Sequence, residues 1–404
     1  MRSTLLTLSL VGLLACSAGN SDEGTSSGSA GTSSGGAGSG TGSAQTTGDF
    51  TTGSGGGTIE AVGMLTGKVV APEGTIPVSG ALVYLTAVPP PAIPDGVYCD
   101  KCVEIASDVA HGFTKADGTF EIPTYFEGDQ YLVVQKGQFR RVRPIAIAKG
   151  PMQADPAATR LPSRMDKANG DDIPKMAIQE GQWDEIGNSL VQLGIDQDQI
   201  ATYGCQGFSC DSPFDSYGEL AKYHIAFAPC GSCNGGFGSQ NDAIRQFVGE
   251  GGKLYVTDWS YQWMTNAFPG YVDFELISSE GDACTISEYD APATMLDPEL
   301  GAWLGAQGIT NPVFEKGYTR IKSLNAVDTT DANGQPVTVT PKTWVRGQTP
   351  NGDRPLTVSF EQQCGRVLFS TYHSESSSGL LPQELALLYV ILEVGVCVEV
   401  PVPQ

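Results

Sequence analysis

GGKLYVTDWSYQWMTNAFPGYVDFE, residues 251–275, decides how the second half of this chain is read. Two glycines lead into Leu254, Tyr255, Val256 and Thr257, an apolar run of the kind that fills a parallel strand buried on both faces. The chain then turns at Asp258-Trp259-Ser260 into a segment dense in aromatics: Trp259, Tyr261, Trp263, Phe268, Tyr271 and Phe274. In an open α/β sheet, ligands and catalytic groups gather at the carboxyl end of such a strand. Asp258 and Ser260 are therefore the first candidates for chemistry. Trp259, Tyr261 and Trp263 are the candidate ligand-stacking surface.

Working outward, strands alternate with helices from residue 173 onward. Residues 173–179 read as a strand, and 183–193 as an amphipathic helix with Ile186, Leu190 and Leu193 on one face. Residues 224–228 form another apolar strand, ending at Pro229-Cys230-Gly231. Residues 240–249 read as a helix whose apolar face is Ile244, Phe247 and Val248. A late strand, GRVLFST at 365–371, precedes a long apolar helix over 381–394. Such alternation predicts a mostly parallel sheet covered on both faces. Residues 280–362 read as a β-rich insertion. Within it, DTTDANG at 328–334 looks like part of a calcium loop, but Thr329 and Thr340 stand where acids would be needed, so it reads as a hairpin turn at Asn333-Gly334.

Residues 59–149 follow a shorter period. Strand-like runs near 65–70, 80–86, 110–114, 119–122, 131–135 and 141–148 alternate with Pro, Gly and Asp-Gly turns. They predict a small all-β sandwich, with Asp117-Gly118 turning a hairpin. Residues 150–172 carry Pro151, Pro156 and Pro162 and read as a polar linker. The expected fold class is multidomain, a small all-β sandwich followed by an α/β domain over 173–397.

The N-terminal end reads as an address. Arg2 precedes an apolar run over 5–14 that is too short to span a bilayer. The run ends in Leu13-Leu14-Ala15-Cys16, which resembles the lipobox of bacterial lipoproteins. That resemblance implies a signal peptide over 1–16, lipidation at Cys16 and, with Ser17 next, an outer-membrane or cell-surface protein of a Gram-negative-type bacterium. Residues 17–58 are almost wholly Gly, Ser, Thr and Ala, which cannot bury enough apolar surface to order themselves. As a flexible tether they would span roughly 35 Å. The chain carries 404 residues and a formal net charge of −22. That charge argues against a nucleic-acid partner, which requires clustered Lys and Arg.

Ten cysteines fit an oxidising compartment. With Cys16 lipidated, nine remain, so at least one thiol is left over. The close pairs Cys99/Cys102, Cys205/Cys210 and Cys230/Cys233 are the candidate disulfides. The two Cys-x-x-Cys pairs are read as bridges rather than as a zinc site or a redox couple. The three histidines, His111, His224 and His373, are widely spaced. No metal and no cofactor is expected.

Two resemblances give these segments a family context. TGKVV, VSGALVYL, TKADGTFEI and YLVVQKGQFRR, over 64–148, resemble the carboxypeptidase regulatory-like domains, transthyretin-like sandwiches that imply a non-catalytic spacer. Most of 173–397 resembles the class I glutamine amidotransferase-like superfamily, which implies a flavodoxin-like three-layer α/β sandwich. YHIAFAPCG looks like its oxyanion-loop strand, IRQFVGEGGKLYVTD its approach to the nucleophile elbow, and GRVLFSTYHSE its His-x-Glu strand, here His373 and Glu375. LLPQELALLYVILEVG stands in the place of its closing helix. The elbow, however, reads Thr257-Asp258-Trp259-Ser260 without the family's Cys.

The expected function is a non-catalytic cell-envelope lipoprotein. It would touch the lipid bilayer through Cys16 and a glycan or peptide at the 258–274 end of the sheet. The alternative is an atypical hydrolase or amidase that uses Ser260 or Asp258 with His373 and Glu375. Cys230, at a strand end, is a further reactive candidate.

Overall fold

The computed structural model describes residues 60–399 except 100–102, 106–108, 207–208, 232–234, 237, 277–281, 285–286, 375–378 and 394–397. The signal segment with Cys16 and the tether lie outside the described residues, as do Cys102, Cys233 and Glu375. Ala61–Gln404 forms one compact unit.

The N-terminal strands are β1 (Gly63–Lys68), β2 (Leu82–Thr86), β3 (His111–Phe113), β4 (Thr119–Thr124), β5 (Gly128–Lys136), β6 (Phe139–Ile147), β7 (Gly150–Gln153) and β8 (Asp171–Asp172). They form a three-stranded sheet, β4-β1-β7, and a five-stranded sheet, β3-β2-β5-β6-β8. Alternate residues such as Leu65, Val83, Phe120, Ile122, Leu132 and Val134 point into a shared core. Two expectations need correction. Asp117-Gly118 does turn the chain, with Gly118 at φ +79°, but β3 and β4 belong to different sheets, so no paired hairpin forms. Residues 150–172 are not a free linker: β7 pairs parallel with β1, and β8 pairs with β6. Arg140 and Arg141 draw the short β8 into place through ion pairs at 2.8 Å to Asp172 and Asp171.

The rest of the chain supplies β9 (Met176–Gln179), α1 (Ile186–Gln192), β10 (Ile200–Tyr203), β11 (Ile225–Ala228), α2 (Ser239–Gly249), β12 (Lys253–Thr257), β13 (Tyr289–Met295), α3 (Pro298–Ala306), β14 (Val313–Gly317), β15 (Lys342–Thr349), β16 (Gly352–Gln362), β17 (Gly365–Ser370) and α4 (Pro382–Glu393). The strands make one nine-stranded mixed sheet in the order β10-β9-β11-β12-β17-β16-β15-β13-β14. The pairs from β10 to β17 are parallel. Those from β17 to β14 are antiparallel.

The mostly parallel three-layer sandwich is thus not what forms. The stretch read as an insertion turns back at Gln363-Cys364 and extends the sheet antiparallel from the edge of β17. That pairing satisfies backbone groups that an uncovered edge would leave open. The hairpin expected at 328–334 is present, with Val327–Thr330 paired to Pro336–Val339.

Alternation along β12 assigns the two faces. Leu254 and Val256 pack with Ile244 and Phe247 of α2. Tyr255 points the other way, into a core shared with Leu190 of α1, Trp303 of α3 and Leu388 of α4. Phe227, Phe247 and Phe369 have no exposed surface, and full burial of each contributes about 1.5–3 kcal/mol. The second face is continuous with the sandwich core, and Trp303 Nε1 donates to Pro77 O at 2.6 Å across the junction. The Gly-Gly turn before β12 has a steric cause. Gly251 sits at φ +110°, where a Cβ would lie 1.9 Å from Tyr98 O.

The cysteines depart from the local pairing expected for them. Cys205–Cys210 is a disulfide as expected. Cys99 instead bonds Cys364, with Cα atoms 5.1 Å apart, and clasps the loop after β2 to the β16–β17 turn. Cys230 is a free, buried thiol rather than half of a bridge. Three-residue spacing makes a pair possible, but the fold places Cys364 beside Cys99.

Candidate functional site

The parallel register of β11, β12 and β17 brings their carboxyl ends to one edge: Ala228 stands beside Val256, and Thr257 beside Ser370. The residues just beyond these ends, Cys230, Asp258 and His373, converge there. Asp258 opens the turn after β12 at φ +43°, in the left-handed region that a non-glycine residue rarely occupies. Such a turn swings the first side chain after the strand toward the neighbouring strand ends. Asp258, not Ser260, is therefore the first residue of the turn beyond the strand end.

Asp258 is fully buried. Its Oδ1 accepts from Thr319 N at 2.7 Å. Its Oδ2 lies 3.6 Å from His373 Nδ1 and has no hydrogen-bond partner. Burial pushes the carboxyl above the usual carboxylate range, against the lowering effect of His373 and Thr319. The Cys230 thiol is raised by burial first and then by the nearby Asp258 carboxylate, while the Trp259 backbone N–H opposes the shift. A buried thiol so shifted is protonated near neutrality and inert as a nucleophile.

Asp184, in the loop before α1, ties these strand ends together. It accepts from the Thr257 hydroxyl, from the Ser374 hydroxyl and from Ser374 N at 3.1 Å. Thr257 Oγ1 in turn accepts from Cys230 N at 2.7 Å. A single buried carboxylate thereby fixes the backbone on either side of the cluster.

The cover comes from the chain just past β14. Tyr318 N donates to Thr371 O at 3.3 Å. The Tyr318 ring lies nearly parallel to His373, with centroids 5.8 Å apart, and meets Trp259 edge-on at 5.8 Å. His373 is 3% exposed beneath it.

The other expected site residues are placed differently. Ser260 Oγ donates its proton to Pro229 O at 2.6 Å, not to His373 as a nucleophile would. Tyr261 is buried against Phe274, so it is no surface for a ligand. Trp263 is half-buried on Phe214, centroids 4.6 Å apart. Trp259 is half-buried as well. The expectation that no metal-ligand grouping exists rested on the spacing of the histidines. It did not foresee a mixed Cys/Asp/His set assembled from three strand ends.

Asp184, Tyr318 and Thr319 went unread in the sequence. Asp184 had a signal, an acid in a strand-to-helix loop at the carboxyl edge. Tyr318 and Thr319 had none, because only tertiary folding lays that segment over the elbow.

No family model and no curated protein matches the chain. Among solved structures, a cytoplasmic protein from Salmonella typhimurium is similar at 13% identity and TM-score 0.35, covering 55% of this chain and 98% of that one. A ThuA-like protein from Bacteroides uniformis is similar at 12% identity and TM-score 0.33, covering 54% and 89%. A β-galactosidase from a Rahnella species is similar at 14% identity and TM-score 0.30, covering 59% and 34%. Likenesses of this size assign neither a family nor an activity.

Proposed function

We propose that the chain is a non-catalytic cell-envelope lipoprotein, a surface binding or structural module anchored to the outer membrane through Cys16. In this reading the carboxypeptidase regulatory-like sandwich is a spacer, and the amidotransferase-like unit is a head that has lost its nucleophile. The observation that carries the reading is the state of the elbow. Asp258 has no exposed surface, and Ser260 is 3% exposed with its hydroxyl committed to Pro229 O. A nucleophile must reach substrate, and neither group can do so without opening the turn. A glycan or peptide would meet the half-buried rims of Trp259 and Trp263 instead.

The 3.6 Å approach of His373 to Asp258 favours one alternative, a hydrolase in which Asp258 attacks and His373 manages the proton. Screening the purified chain against ester, amide and glycoside substrates, together with a fluorophosphonate probe for Ser260, separates the two. Neither turnover nor labelling is expected. Activity that disappears in Asp258→Asn, or labelling that disappears in Ser260→Ala, would overturn the non-catalytic reading. Palmitate incorporation that is lost in Cys16→Ala tests the anchor separately.

A further inference from the structure

We propose that Cys230, Asp258 and His373 form a buried site for one divalent transition-metal ion of zinc-like character, held by a thiolate, a carboxylate and an imidazole. One ligand atom from each lies within 4.8 Å of the others, and the His373–Asp258 pair is at 3.6 Å. Around tetrahedral zinc, with bonds of about 2.0–2.3 Å, ligand atoms stand about 3.3–3.7 Å apart. The carboxylate and imidazole already have that separation. The thiol has at most about 1 Å to close, which a small side-chain rotation supplies.

The second observation is Asp258 Oδ2. It is buried, has no hydrogen-bond partner and faces the cluster. Leaving a buried carboxylate oxygen unsatisfied is costly, and a cation would satisfy it. The charges also balance, since one thiolate and one carboxylate neutralise a dication beside a neutral imidazole. The sulfur selects a borderline-soft ion over magnesium or calcium, which take oxygen ligands.

The supports are those of a metal site. Thr319 N orients Asp258 through its other oxygen. Thr257 and Asp184 hold the backbone of Cys230 and of Ser374, next to His373. With all three ligands buried, the ion would act as a cross-link among the ends of β11, β12 and β17. The inference is independent of the non-catalytic reading, because a buried ion at these strand ends is compatible with either reading of the turn.

The rival occupant of the same space is a proton on Asp258, and metal titration decides between them. The full chain, stripped with chelator, is titrated with Co²⁺ and then Zn²⁺. Expected are one equivalent of Co²⁺, a near-ultraviolet thiolate-to-cobalt band, tetrahedral visible bands, and displacement of all three by Zn²⁺. Cys230→Ser should remove the thiolate band and weaken binding by more than the roughly 10–100-fold that loss of a supporting residue costs. X-ray absorption of the zinc-loaded wild-type chain should show one sulfur among nitrogen and oxygen scatterers, and this holds even if the variant fails to fold. No stoichiometric binding, a thiolate band that persists in Cys230→Ser, or a zinc shell with no sulfur or several would each refute the site.

Discussion

Removing the Cys99–Cys364 disulfide should cost far more stability than removing Cys205–Cys210. The two bridges close loops of very different size, with sequence separations of 265 and 5. In the chain-entropy relation, a cross-link stabilises by restricting the unfolded chain, and the effect grows with the logarithm of loop length. It gives about 5.6 kcal/mol at 25 °C for the long loop and about 2 kcal/mol for the short one. Compact denatured chains lower both values, so the difference is the safer quantity, at least about 2 kcal/mol. The long bridge also has a structural reason to matter. It holds Tyr98 and Cys99 over Gly251, at the amino end of the strand that leads to the elbow. The assay is urea unfolding of two double variants, Cys99→Ser/Cys364→Ser and Cys205→Ser/Cys210→Ser, against wild type under non-reducing conditions. Peptide mapping without reductant reads the connectivity directly. An equal or smaller loss from the 99/364 variant would refute the entropic argument. A peptide linking Cys99 to Cys102 would refute the connectivity itself.

Asp184→Ala should destabilise the chain by about 1–3 kcal/mol, because it removes the acceptor of the Thr257 and Ser374 hydroxyls and leaves Ser374 N buried without its partner. Thermal unfolding measures the loss, and a change below about 1 kcal/mol would show that Asp184 does not hold the strand ends. Acid should weaken the sandwich through Asp171. Burial raises its carboxyl, but hydrogen bonds from Arg141 and Arg143 outweigh that and hold it below the usual range. A depressed folded value means that the stabilisation is complete above the unfolded value of about 3.9 and is lost as pH falls through the folded value. Asp171→Asn should therefore lower stability by about 1.5–3 kcal/mol at neutral pH and flatten its pH dependence below about pH 4. An unchanged acid limb in denaturant titrations at several pH values would contradict this.

Much of the framework was legible because it depends on local periodicity. The apolar runs at 225–228, 253–257 and 365–370 are buried strands, and the helix faces of Ile186/Leu190 and Ile244/Phe247 are buried as their spacing indicates. Both Asp258 and Ser260 were candidates at the turn after this strand, and what the sequence did not show is that Asp258 takes a positive φ there. Asp-Gly and Cys-x-x-Cys were read as local signals, and both were overridden. Strands flanking the 117–118 turn diverge into two sheets, and Cys99 finds a partner from the far end of the chain.

By itself the sequence determined the apolar strands and amphipathic helices around 225–257 and 365–393, and the turn of the chain at Asp258. Each follows from side chains close together in sequence, through burial periodicity or backbone preference. Only the tertiary structure decided the rest: the antiparallel half of the sheet, the Tyr318 cover, the long disulfide, and the meeting of Cys230, Asp258 and His373. These depend on strand order and register, which hydrogen bonding between distant segments sets and which no local pattern encodes.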